Sequence, residues 1–247
     1  MLNELNIKYD KKTSLTHKIF SNYKKQYSKF THENTDINGE KNNIYLNREK
    51  NIQVCPYCNR NFINSRKKES GVQFDHFFSK DLYPVFALSL YNLIPSCSVC
   101  NHKKSDKELR LSPFNKDLEN KTFFGFSFNP VNYEIKMAGS SEADFKESSL
   151  NDLELLELKD AYSIHKLDVK FMIERDREYV HEYRESLRSI VGSKYWYKLS
   201  EHQFDKMIFG ESVEIDHEQY RNIPNSYLKN AIYAQIKKSR KRSLRSP

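Results

Sequence analysis

All four cysteines of this 247-residue chain fall in two C-x-x-C pairs, Cys55 and Cys58 in V-C-P-Y-C-N-R and Cys97 and Cys100 in P-S-C-S-V-C-N-H-K-K. A C-x-x-C turn lets two sulfurs reach one ion, and a second such turn completes a closed tetrahedral site. A closed site has no open position, so the zinc it predicts holds the fold and does not react. Four buried free thiols are the plain alternative. Paired spacing with no cysteine left over favours metal over free thiols, and a cytosolic chain of this size favours metal over disulfides. Between the pairs lies F-D-H-F-F-S-K, which sets Asp75 beside His76, and Asn92 and Asn101 follow. The staple therefore encloses a carboxylate, a base that titrates near neutral pH and one amide, with the second amide just past Cys100.

Several elements must position these groups. Apolar residues from Leu15 through Ile19, Phe20, Tyr23 and Tyr27 to Phe30 recur at steps of three and four, which predicts one helix within residues 1–31, packed on the cysteine module. Residues 32–50, rich in Asn, Asp, Lys and Gly, read as a connector. A tight hairpin is expected around the first cysteine pair at 52–63, with Pro56 and Tyr57 shaping the knuckle. Short strands are expected at Gln73–Phe77 and Leu93–Pro95, and a short helix after Cys97. The stretch D-L-Y-P-V-F-A-L-S-L-Y at 81–91 is too apolar for a solvated loop and is expected to be pinned to the core, Tyr83, Phe86 and Tyr91 included. Alternating Phe124, Phe126, Phe128 and Tyr133, Ile135, Met137 around N-P-V-N predict a β-hairpin. Ser149 with Asp152 fits a helix start, and two amphipathic helices are expected over 150–190. A last helix, Ser226–Lys238, runs into a basic tail expected to be disordered in the free protein. The segments are thus residues 1–50, a helical segment and connector; 51–112, the cysteine module; 113–140, a hairpin connector; and 141–247, a helical region with a basic tail.

The net charge of +8 is unevenly spread. Residues 1–50 hold ten Lys/Arg against six Asp/Glu, and 51–110 hold nine against five. Residues 111–236 hold sixteen against twenty-two, and 237–247 hold six with no acid. Basic surface draws phosphate backbones by counterion release, so the module and the ends are the expected nucleic-acid face. The acidic middle is expected to pack or to bind protein. No run of eighteen apolar residues exists, so no membrane span is expected. The first ten residues lack the apolar core of a secretory signal.

F-D-H-F-F-S-K, Y-N-L-I-P-S-C and C-N-H-K-K-S-D, arriving in this order between flanking cysteine pairs, resemble the HNH, or ββα-metal, nuclease family over about residues 52–108. The resemblance implies an α+β protein: a small zinc-stapled ββα-metal core, two antiparallel strands and a helix gripping one divalent ion, with a mainly helical C-terminal region. It implies that His76 is the general base that takes a proton from the attacking water and that Asp75 binds the metal. Asn92 would tie the loop between the strands, and Asn101 would be the second metal ligand. His102 is the rival for that last position. Successive helical residues point about 100° apart, so both cannot ligate well, and spacing from Asn92 favours Asn101. Two hard oxygen donors suit Mg²⁺ or Mn²⁺, whereas the four sulfurs suit a softer ion. Lys103, Lys104 and Arg60 are candidates to hold the substrate phosphate.

The activity implied is metal-dependent hydrolysis of phosphodiester bonds in DNA or RNA, leaving a 5′-phosphate and a 3′-hydroxyl. The wider arrangement also resembles the HNH effectors of bacterial anti-phage systems. Septu and some retron systems pair such a nuclease with an ATPase. That implies a cytoplasmic defence protein whose acidic helices at 149–191 dock an ATPase subunit. The alternatives are a non-catalytic zinc protein that binds nucleic acid and a toxin-like RNase acting on tRNA.

Overall fold

In this computed structural model, residues 15–33, 41–66, 70–115, 117, 123–179, 183, 185–186, 189, 200–210, 213 and 217–243 are described. The chain divides into two compact units, residues 1–115 and 116–247. No helix among the described residues is long and apolar enough to cross a membrane.

The first unit begins with α1, Leu15–His32, and α2, Asn42–Lys50. The helical spacing read from the N-terminal sequence agrees with α1; its first fourteen positions lie outside the described residues. α2 falls where the sequence reads as connector. Its Asn-rich composition is a poor helix former, and tertiary contacts supply what propensity lacks. Ile44 and Asn47 are buried, Asn42 donates to the Phe30 carbonyl at 3.0 Å, and Asn51 closes the helix in the left-handed conformation. Strand β1, Gln73–His76, pairs antiparallel with β2, Leu93–Ser96, setting Asp75 opposite Ile94 and His76 opposite Leu93. Alternation sends Gln73 and Asp75 to one face and Phe74 and His76 to the other. α3, Ser98–Lys104, follows after one residue, and Cys97 caps it by accepting the Cys100 N–H on its sulfur. The two strands and helix expected from the sequence are therefore present.

The apolar connection at 81–91 departs from expectation. Pro84 and Ala87 are buried, but Leu82 is 61% exposed and Tyr91 86%. A short 3-10 turn, Pro84–Phe86, seats Pro84 and Ala87, three positions apart, on one buried side. Leu82 and Tyr91 lie outside it, in the turns at either end of the connection, where the chain reverses and their side chains face outward.

The cysteine cluster staples this unit. The first pair sits in a hairpin closed by Cys55 N–H to the Asn61 carbonyl (2.9 Å), Asn59 N–H to the Cys55 carbonyl (2.7 Å) and a bridge between Val54 and Phe62. All four cysteines are buried and unpaired by disulfides, and their sulfurs lie within 4.8 Å of one another. Asn61 Nδ2 and the Cys100 N–H both point at Cys97 Sγ, at 3.3 and 3.5 Å. With donors converging on its sulfur, chiefly from the other cysteines, the Cys97 thiol is pushed far down. Four soft sulfurs in a tight buried group fit a structural zinc ion.

In the second unit, β3, Phe124–Phe128, pairs with β4, Ile135–Gly139, as the predicted hairpin. Helices α4 (Ala143–Leu155), α5 (Leu158–Tyr162), α6 (Lys166–Glu178), α7 (Glu201–Phe209), α8 (His217–Asn222) and α9 (Ser226–Ser243) accompany it. Ser149 does not start a helix. It lies within α4, buried, donating to the Lys146 carbonyl and accepting the Ser140 N–H at 2.7 Å. Nor is the basic tail free as far as residue 243. α9 runs to Ser243, and the Arg240 guanidinium is bound by Asp176 and Asp205. Leu187 and Ile190, expected on the second amphipathic helix, lie outside the described residues.

Two outcomes follow for the first unit. Cys100→Ser removes one of four zinc ligands, so bound zinc, measured by elemental analysis, falls well below one per chain and the cooperative melt of the module is lost. Ser105, which ends α3, adopts φ 49° and ψ −123°, a region that favours glycine. Ser105→Gly relieves roughly 1 kcal/mol of strain and raises the midpoint of thermal unfolding.

Candidate active site

A cleft of about 240 Å³ opens where β1, the turn after it and the C-terminal end of α3 meet. Asp75, His76 and Asn101 all line it, together with Phe74, Ser79, Lys80, Asp81, Ser105 and Asp106.

His76 is buried at the end of β1. Its Nε2 lies 3.0 Å from the Ala87 carbonyl oxygen. A carbonyl only accepts, so Nε2 carries the hydrogen and the lone pair of the neutral ring is on Nδ1. The ring of Tyr27, from α1, packs edge-on against the imidazole with centroids 4.3 Å apart. Burial pushes the His76 pKa down to about 4. The imidazole is thus uncharged at neutral pH and able to accept a proton.

Asn92 fixes the chain that leads away from His76. Its Oδ1 accepts the Phe78 N–H at 2.7 Å, and its Nδ2 donates to the carbonyls of Phe78 (3.1 Å) and Phe86 (3.0 Å). Its own backbone carbonyl accepts the Phe77 N–H. One buried side chain therefore joins both ends of the 77–91 connection and holds Ala87 within reach of the imidazole.

Asp75 is 3% exposed, and both of its oxygens are engaged. The Tyr57 hydroxyl donates to Oδ2 at 2.6 Å. Lys104 Nζ lies 3.2 Å from each oxygen and donates to the His76 carbonyl at 2.7 Å. Burial pushes the Asp75 carboxyl up, against the pull of Lys104 and Tyr57. This arrangement corrects two expectations. Lys104 is fully buried and cannot reach a substrate phosphate; it sits a turn beyond Cys100 on the inner side of α3, where the carboxylate is its partner. Tyr57 does more than shape the knuckle, since it reaches from between the zinc ligands to the strand that carries His76.

Asn101 donates its Nδ2 to Gln73 Oε1 at 2.8 Å, which turns the amide oxygen away from Gln73. His102, one position on, is exposed and does not line the cleft. Lys103 and Arg60 are half-buried and also lie outside the lining. Lys80, inside the F-D-H-F-F-S-K motif, does line it, although sequence reasoning does not single it out. Its place just past a strand end that carries the base is the signal that could have found it.

Among the residues that line the cleft, Asp75 offers a carboxylate whose Oδ1 keeps a lone pair beyond its bond to Lys104, and Asn101 offers an amide oxygen. Both are hard oxygens, and the cleft has room for water, so the residues fit a hydrated divalent ion such as Mg²⁺.

No curated protein and no solved structure matches the chain. Residues 55–107 match the HNH endonuclease family, from the first cysteine pair through the end of α3. The match encloses the four-sulfur cluster, the paired strands and the cleft residues from Asp75 to Asp106. The chain therefore carries an HNH endonuclease domain at residues 55–107, a domain of phosphodiester hydrolases.

Proposed function

We propose that the cleft hydrolyses phosphodiester bonds with His76 as the general base. The observation that carries this reading is the Nε2 contact to Ala87, which leaves the lone pair of the neutral imidazole on Nδ1, in a residue that lines the same cleft as Asp75 and Asn101. His76 takes the proton from the attacking water. The water oxygen forms a bond to phosphorus as the bond to the leaving 3′-oxygen breaks, giving a 5′-phosphate and a 3′-hydroxyl. A divalent ion held by Asp75 and Asn101, Mg²⁺ or Mn²⁺, would supply charge neutralisation on the phosphate and help to the leaving oxygen. Asn92 is a positioning residue, acting through Ala87 on the imidazole. Tyr57 and Lys104 keep the Asp75 carboxylate in one orientation, and the zinc cluster anchors both of them.

The basic module and the phosphate chemistry support a nucleic-acid substrate, DNA or RNA. Non-catalytic binding is the weaker reading, because a mere binding module has no use for a neutral, oriented imidazole that lines a cleft beside a buried carboxylate. A finer reading, an anti-phage effector restrained by an ATPase partner, is supported by the order of the motifs around the cysteine pairs. The C-terminal unit adds Leu167 and Phe171 of α6 and Ile164 of the 3-10 turn just before it, all exposed and spaced three and four residues apart.

His76→Ala is expected to lower cleavage of plasmid DNA or of tRNA, in Mg²⁺ or Mn²⁺, by about a hundred- to ten-thousand-fold, with zinc content unchanged. Retained cleavage would remove His76 from its role. A protein whose wild type binds both nucleic acids and cleaves neither would instead be the binding module. For the partner, a candidate ATPase mixed with the chain should co-elute with it in size-exclusion chromatography, and Phe171→Asp should separate the two; separate elution of the unmodified pair would count against that ATPase.

A further inference from the structure

We propose that Lys80 is the cation that receives the substrate phosphate in the cleft, and that Tyr27 of the N-terminal helix holds it there. The inference rests on the nuclease reading of the cleft and adds to it the residue that grips the substrate. The sequence offers Arg60, Lys103 and Lys104 for this task, and none of the three lines the cleft. Lys80 is the one Lys or Arg among the described residues that do.

The charges around the cleft are arranged so that the Lys80 ammonium is available. Three carboxylates, Asp75, Asp81 and Asp106, line the same space, and alone they would repel a phosphate. Asp75 is neutralised from behind by the buried Lys104. Asp81, the immediate neighbour of Lys80, is taken by Lys24 of α1 at 2.5 Å. Tyr27 lies three residues beyond Lys24, on the same side of that helix. Its ring receives the Lys80 ammonium over its face, 5.4 Å from the centroid, and packs against the His76 imidazole in a T-shaped arrangement, centroids 4.3 Å apart. Its hydroxyl reaches the Phe74 carbonyl at 3.3 Å. One aromatic ring from outside the matched domain thus touches both the base and the cation. An ammonium seated on an aromatic face keeps its N–H donors free for an anion, which a carboxylate partner would consume.

The test measures binding of a short DNA duplex and of tRNA over a salt series, in a His76→Ala background without added divalent ion, and single-turnover cleavage in the His76 protein. Lys80→Ala is expected to weaken binding about tenfold, to reduce the salt slope by about 0.9, and to slow cleavage. Lys80→Arg should restore most of both. Tyr27→Phe, which keeps the ring, should bind as the parent does, and Tyr27→Leu should behave as Lys80→Ala while retaining zinc. A parental salt slope and affinity in Lys80→Ala would overturn the proposal, as would an equal loss in Lys80→Arg. The binding arm does not depend on His76. Cleavage persisting in His76→Ala would therefore overturn the base assignment, while the salt slope alone would still decide the role of Lys80.

Discussion

The carboxylate of Asp75 has almost no contact with solvent, and a buried charge must be paired and hydrogen-bonded to be tolerated. Three elements meet that demand together. Tyr57 comes from the knuckle between the first two cysteines, Lys104 from the helix that carries the second two, and Asp75 from the strand between them. Lys104 reaches past the carboxylate to the carbonyl of His76, so the same ammonium that balances Asp75 also fixes the backbone of the neighbouring residue. Removing one partner of such a pair costs about 3–5 kcal/mol, since the other charge is left buried alone. The zinc cluster gains a meaning from this beyond the folding free energy it supplies. It fixes the relative positions of the two segments that deliver Tyr57 and Lys104 to one carboxylate, and so couples the staple to the cleft.

α1 lies outside the matched domain, yet it touches three residues that line the cleft. Lys24 and Tyr27, one turn apart, pair with Asp81 and seat Lys80 while flanking His76. A ββα core of this size has little apolar volume of its own. A helix laid against it supplies burial for the imidazole, and burial is the leading reason that His76 stays uncharged. The same helix sorts the charges around the cleft. Packing and electrostatics are here one design, because the face of α1 that covers the base also carries the groups that arrange its neighbours.

The C-terminal unit applies the same rule to a different end. Arg240 lies in a stretch of basic residues that reads as a tail, but two aspartates from α6 and α7 hold its guanidinium, and the Tyr233 hydroxyl donates to one of them. Phe209 stacks beneath the cation. A charge paired in this way serves the fold of its own unit and is withdrawn from binding nucleic acid. The count of basic residues at 237–247 therefore overstates the free positive charge of that segment.

The cysteine staple, the two short strands, the helix after Cys97 and the candidate base can all be read from the sequence, because each depends on spacing within a few residues. A C-x-x-C turn brings its sulfurs together wherever it stands, and strand alternation places Asp75 and His76 back to back without reference to the rest of the chain. The partners of those residues cannot be read in this way. Lys103 and Lys104 are equivalent as letters, but a rotation of about 100° between them leaves one half-exposed and sends the other into the core. The value of Lys80 depends on the ring of Tyr27, far back along the chain, and the exposure of Tyr91 follows from its place in the turn that leads into β2, which an apolar run does not announce. Local geometry is written in local sequence. Which cation faces the cleft, which one is buried, and what covers the imidazole are decided when distant segments compete for the same space, and only the folded chain resolves that competition.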